Sequence, residues 1–145
     1  MADARGPAVV DTMIFTWSLA GQPTKVGQLY QAHLVGRTLV LAAQTVAELR
    51  FWAHHRGWGD PRRKQLEERI AHLRVAAVDD RLTVVYADLK DQCLRNGHAL
   101  GQKVHDGDRW IAATAVRYGI PLISHDQIFK DVPELELLTE LESIN

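Results

Sequence analysis

The sequence predicts an α/β fold, a three-layer sandwich in which a central, mostly parallel sheet is flanked by helices. Short apolar runs alternate with segments of helical periodicity along the chain, the pattern of βα units rather than of hairpins. The runs at residues 38–42 and 120–124 are almost continuously apolar instead of alternating, as in strands buried on both faces. The 145 residues make one domain. With 46% hydrophobic and 24% charged residues, the chain is neither disordered nor a membrane protein.

Residues 1–7 read as a short tail with nothing to bury, and residues 8–145 as the domain. Ala8-Val9-Val10-Asp11 forms the first strand, and Thr12 to Ala20 a helix burying Ile14, Trp17 and Leu19. Gly21-Gln22-Pro23 is a turn signal. Val26, Leu29, Tyr30 and His33-Leu34 recur at helical spacing up to Gly36. Thr38 to Ala42 is the second strand, followed by a helix from Ala43 to His55. Asp60 caps the next helix with Pro61 in its first turn. Arg74 to Val78 is the third strand, and Asp79-Asp80 cap a long helix ending near Asn96-Gly97. A loop then leads to a helix from Gly107 to Tyr118, stopped by Gly119. Ile120 to Ser124 is the fourth strand and Leu135 to Leu138 a short fifth.

Seventeen Lys and Arg against eighteen Asp and Glu give a formal charge of −1, which excludes binding nucleic acid by net charge alone but leaves room for a local basic patch. Cys93 has no partner thiol, so it reads as a small buried hydrophobe. The N-terminus has no apolar core of a secretion signal, and no run reaches the ~18 apolar residues of a membrane span. A cytoplasmic protein with no membrane partner is the expectation.

Four acids fall at telling places. Asp11 ends the first strand, Asp126 follows the fourth, Glu48 lies in the second turn of the helix after the second strand, and Asp108 in the first turn of the helix before the fourth. Open α/β sheets bind ligands at the carboxyl ends of their strands, where all four acids can meet. Singly, each has a structural reading, since Asp is a preferred helix cap and Glu48 suits a solvated helix face. Together they repel: two carboxylates ~4 Å apart interact by about 4 kcal/mol at an effective dielectric near 20. A fold that converges them must protonate some or bind a hard cation such as Mg²⁺ or Mn²⁺.

Val9-Val10-Asp11-Thr12, Gln44-Thr45-Val46-Ala47-Glu48-Leu49, and Asp108-Arg109-Trp110-Ile111-Ala112-Ala113-Thr114-Ala115 followed by Leu122-Ile123-Ser124-His125-Asp126-Gln127-Ile128-Phe129 together resemble a PIN domain. The order and spacing are similar to the VapC-type ribonuclease toxins of bacterial toxin–antitoxin pairs, over roughly residues 8 to 140. The resemblance implies a single PIN-like nuclease domain in which Asp11, Glu48, Asp108 and Asp126 coordinate Mg²⁺ (or Mn²⁺) and catalyse RNA phosphodiester hydrolysis, leaving a 5′-phosphate and a 3′-hydroxyl. Thr12 matches the hydroxyl residue after the first acid, with the implied role of orienting that carboxylate or a bound water. Asp106 is an additional nearby acid, a candidate to support the metal ligands. Met13-Ile14 departs from the commoner small residues at the rim. A homodimer and a cognate antitoxin covering the acidic groove are implied as partners.

An RNA substrate needs cations beside this site. Residues 50–64 supply Arg50, Arg56, Arg62, Arg63 and Lys64 against Asp60 alone, interleaved with Trp52, His54, His55 and Trp58. Arginine can clamp phosphate while an aromatic face stacks on an unpaired base; Arg50, Arg56 and Arg63 are the RNA-binding candidates, and a solvated helix pair around two core tryptophans is the structural alternative.

Other readings fare worse. His105-Asp106 and His125-Asp126 match the dipeptide of HD-type phosphohydrolases, but those are all-helical. Asp106-Gly107-Asp108 lacks the preceding apolar strand of a topoisomerase-primase-like site. Lys130 comes too late for a phosphoacceptor receiver, and no Gly-rich phosphate loop suggests an NTPase. Two alternatives stay open: a non-toxin RNA-processing nuclease, and a PIN-like module that binds protein without catalysis, using residues such as Phe15, Trp17 and Trp110.

Overall fold

The computed structural model describes residues 5–19 and 24–143; residues 1–4 of the expected tail and the expected turn at 21–23 lie outside them. In chain order the elements are β1 (Ala8–Val10), α1 (Thr12–Leu19), α2 (Lys25–Leu34), β2 (Leu39–Leu41), α3 (Ala43–His55), α4 (Asp60–His72), β3 (Arg74–Val75), α5 (Asp80–Arg95), α6 (Asp106–Tyr118), β4 (Leu122–Ile123) and β5 (Leu137–Leu138). The strands form one sheet in the order β3-β2-β1-β4-β5, and every pairing is parallel. This is the expected three-layer sandwich.

The short strands build both cores by alternation, since neighbouring side chains point to opposite faces. Val9, Val40 and Leu122 pack on one face with Leu82, Leu89, Cys93, Ile111 and Ala115 from α5 and α6. Ala8, Val10, Leu41 and Ile123 pack on the other with Phe15, Tyr30, Leu49 and Leu66 from α1 to α4. Cys93 is fully buried as expected, and burial pushes its thiol pKa up.

Several boundaries differ from expectation, and the strands β2, β4 and β5 are each shorter than expected. β3 stops at Val75, and after Ala76 N–H donates to Leu41 O at 2.9 Å the chain leaves the sheet to start α5. There Asp79 Oδ1 caps the helix by accepting from Leu82 N–H at 2.9 Å and pairs with Arg117, its other oxygen 2.6 Å from Nη2. The expected loop before α6 contains two 3₁₀ turns, Ala99–Gly101 and Lys103–His105, and α6 begins at Asp106. Gly119 ends α6 at φ 63, the left-handed conformation glycine adopts without penalty. Among the described residues no helix is long and apolar enough to cross a membrane.

Candidate active site

The sheet order places a topological switch at β1. The chain passes from β1 to β2 on one side and reaches β4 on the other, so the carboxyl ends of β1 and β4 lie side by side where helices diverge. Asp11 leaves the first of these ends and Ser124-His125-Asp126 the second. Glu48 reaches in from α3 and Asp108 from the first turn of α6. All four acids line one cleft of about 750 Å³, together with Thr12, Met13, Trp17, Trp52, Arg56 and His125.

Asp11 is 5% exposed. Burial, reinforced by the charges of Asp126 and Asp108, raises its pKa from 3.8 to about 6, against the opposing hydrogen bonds from Ser124 and Ile14. Its Oδ1 accepts from Ile14 N–H at 2.9 Å, and Oδ2 takes the Ser124 hydroxyl. Asp108 is half-buried, and desolvation together with Asp126 raises its pKa, while its contact with His105 Nδ1 at 3.1 Å pulls the other way. Glu48 is held by Gln44 Nε2 at 3.0 Å. Asp126 is exposed; its Oδ1 accepts from Ile128 N–H at 3.0 Å, capping the 3₁₀ turn Gln127–Phe129. Capping and cleft placement are therefore not alternatives for Asp11 and Asp126, because each caps with one oxygen only.

Gly107 is what lets α3 and α6 approach. A Cβ there would lie 3.2 Å from both Glu48 Oε1 and Gln44 Nε2, displacing the side chains that bring Glu48 towards Asp108.

A family model for the PIN domain matches residues 8–135. The chain belongs to the PIN domain family. Its fold is similar to VapBC2 from Rickettsia felis bound to a promoter DNA fragment (TM-score 0.76, 17% identity, covering 92% of this chain and 98% of that one). It is similar also to DNA-bound VapBC from Salmonella typhimurium (TM-score 0.71, 18% identity, 92% and 97%) and to VapBC-5 from Mycobacterium tuberculosis (TM-score 0.66, 23% identity, 92% and 98%). A comparison with curated proteins by sequence finds no significant match.

The other expected site residues of this PIN domain are placed differently. Thr12 lines the cleft, but its hydroxyl faces Glu48 Oε2 at 3.4 Å and Thr45 Oγ1 at 3.3 Å rather than the Asp11 carboxylate. Asp106 turns away from the cleft: one oxygen takes both the Tyr86 hydroxyl and Arg109 Nη2, the latter at 2.9 Å. The helix explains this, since Asp106 and Arg109 share a face at i, i+3 while Asp108 shares the next with Ile111. Arg50 pairs with Glu67 at 2.8 Å on the surface. Arg63 donates to Trp58 O at 2.9 Å and Ala53 O at 3.2 Å, stapling the α3–α4 turn. Only Arg56 of the three reaches the cleft, its guanidinium 4.9 Å from the Trp52 ring centre. Phe15 is in the core and Trp110 stacks on Tyr86 at 3.9 Å, whereas Trp17 keeps a face on the cleft.

These placements separate two arginines that look equivalent in sequence. Arg63→Glu is expected to cost about 1–3 kcal/mol of stability, because it leaves Trp58 O without its donor and Ala53 O with only the Trp58 N–H at 3.0 Å. Arg56→Glu is expected to stay within about 0.5 kcal/mol of wild type. Urea titration of both variants checks this, and equal midpoints would contradict the assignment.

Sequence reasoning missed Ser124 and His105, which hold Asp11 and Asp108. Ser124 had a local signal, because a hydroxyl two residues before Asp126 can bond its backbone, as Asp126 N–H does to Ser124 Oγ at 3.0 Å.

Among the described residues no three His, Cys, Asp or Glu side chains form a ready-made metal cage. The donor set is nonetheless carboxylate oxygen, with two of its members driven toward protonation by burial and by mutual charge. That chemistry fits Mg²⁺ or Mn²⁺, which keep several waters and need only one or two direct carboxylates.

Proposed function

We propose that this PIN domain is a Mg²⁺- or Mn²⁺-dependent endoribonuclease and acts as the toxin of a type II toxin–antitoxin pair. The observation that carries the reading is the meeting of four carboxylates from four separate elements in one cleft. Asp11, Glu48, Asp108 and Asp126 would hold the cation. When bound, the cation supplies Lewis-acid polarisation of the phosphate and acidifies a bound water.

The chain's own residues do the rest. Ser124 and Ile14 N–H fix both oxygens of Asp11, and Gln44 and Thr12 position Glu48. Arg56 supplies positive charge to an RNA strand entering over the acids, beside Trp52 and Trp17. The similar VapBC structures support a cognate antitoxin as partner, and a homodimer is the working form proposed with it.

The test is cleavage of total RNA by the purified chain. Activity is expected with Mg²⁺ or Mn²⁺, is lost in EDTA, and falls at least ~100-fold in Asp108→Asn. Activity equal in wild type and variant would sink the nuclease reading and favour a protein-binding module. Growth arrest on expression, relieved by a small co-encoded protein, separates a toxin from a processing nuclease.

A further inference from the structure

Tyr30 is 1% exposed, yet its hydroxyl sits at the hub of a polar cluster beside the cleft. It accepts from Glu140 N–H at 2.9 Å, lies 3.3 Å from Thr139 Oγ1 and from Ser124 O, and is 2.6 Å from His125 Nδ1. Thr139 Oγ1 accepts from Leu141 N–H at 3.2 Å and can give or take a hydrogen bond with Tyr30. Glu140 N–H occupies one lone pair of the phenol oxygen, and the phenol has one proton to give. The short contact to His125 claims that proton in preference to the longer one to Ser124 O. Nδ1 is then the acceptor, and Nε2 is the ring nitrogen that carries hydrogen.

The ring is clamped as well as protonated in one place. It packs edge-on against Tyr30 with centroids 5.5 Å apart and lies 5.9 Å from the Trp17 ring. It lines the cleft next to Asp126. The four acids there offer acceptors only, and Arg56 is the one Lys or Arg among the described lining residues. A phosphodiester drawn to this place needs hydrogen-bond donors, and a fixed N–H is one.

We infer that His125 is a substrate-binding residue that donates Nε2–H to a phosphate oxygen of the RNA strand, with Tyr30 as the positioning residue that sets its tautomer and angle. The inference rests on the endoribonuclease reading.

The test uses the full chain. Affinity for fluorescein-labelled single-stranded oligoribonucleotides is measured by anisotropy with Mg²⁺ in an Asp108→Asn background, which prevents cleavage. His125→Leu is expected to bind about tenfold more weakly, and equally so for U-rich, A-rich and C-rich strands, as a phosphate contact requires. His125→Gln, of similar size but with an N–H near Nε2, is expected to stay within about threefold of the parent. Tyr30→Phe should weaken binding alone but add nothing on top of His125→Leu. Thermal melts of each variant exclude unfolding as the cause. Equal affinities of the Leu and Gln variants, or a loss confined to one base composition, would overturn the assignment. If wild type cleaves RNA while His125→Leu retains its KM, this inference fails alone; if wild type cleaves none, both readings fail.

Discussion

Asp11→Asn yields an expected protein that is more stable and inert. Burial, the largest influence, raises the Asp11 pKa from 3.8 to about 6. Between those values the folded chain holds a proton that the unfolded chain has released. Stability is therefore highest at acid pH with respect to this group, falls as pH rises through about 6, and stays lower above it. The penalty at pH 7.5 is roughly 3 kcal/mol. Asparagine removes the charge and can still accept from Ile14 N–H through Oδ1, but it must re-form the Ser124 hydrogen bond with reversed polarity, at about 1 kcal/mol. A net gain of about 1–2 kcal/mol at pH 7.5 in EDTA follows, or about 3–6 °C in Tm. The gain should shrink toward pH 4, where the wild-type carboxyl is protonated. Asp108, also raised by burial, contributes pH dependence of the same sign and survives in this variant. Added Mg²⁺ should stabilise wild type more than the variant, because ligands must be deprotonated to bind. A variant less stable than wild type at pH 7.5, with unchanged pH dependence, would refute the account.

Arg109→Met is the opposite case, an expected loss of about 3–4 kcal/mol. The guanidinium is 1% exposed and donates to Leu100 O at 2.8 Å and Gln102 O at 2.9 Å. It also meets Tyr86 Oη at 3.0 Å and Asp106 at 2.9 Å. Methionine fills much of the stem's volume but leaves Leu100 O without its donor, takes one of two donors from Gln102 O, which keeps His105 N–H at 3.0 Å, and abandons Tyr86 and Asp106. Arg109→Lys keeps the charge without the planar fork, so an intermediate loss of about 2 kcal/mol is expected. Urea unfolding reads both, and a Met variant within 1 kcal/mol of wild type would contradict the proposed role.

Arg109 also shows where sequence reading stops. The acids were legible because helix and strand periodicity fixes their positions relative to strand ends, and strand ends gather ligands whatever the fold's details. Arg109, Arg63 and Arg50 look alike in sequence, as cations on helices. Their fates depend on acceptors presented by other segments: carbonyls of the 3₁₀ turn at Ala99–Gly101 for Arg109 and of the α3–α4 turn for Arg63, and the Glu67 carboxylate for Arg50. Only the tertiary structure brings those acceptors within reach. Asp106 illustrates the same limit, since one step along α6 separates it from Asp108 and sends it to Tyr86 instead of the cleft. The succession of five strands along the chain and the start and end of most helices, by contrast, followed from local pattern, whereas the sheet order β3-β2-β1-β4-β5 did not. β3 was the exception, because Ala76 to Val78 has strand-like composition but must turn to deliver Asp79 to α5.

The pairing of β1 with β4 has a consequence for biosynthesis. Asp11 is made well before its partner, since the serine that holds it lies 113 residues later. Until β4 arrives, β1 lacks its neighbour on one side and Asp11 lacks a hydroxyl partner, and Asp126 comes later still. A nascent chain or a fragment truncated before β4 therefore cannot assemble the four-acid cleft, and the site comes into existence only once β4 and Asp126 have been made.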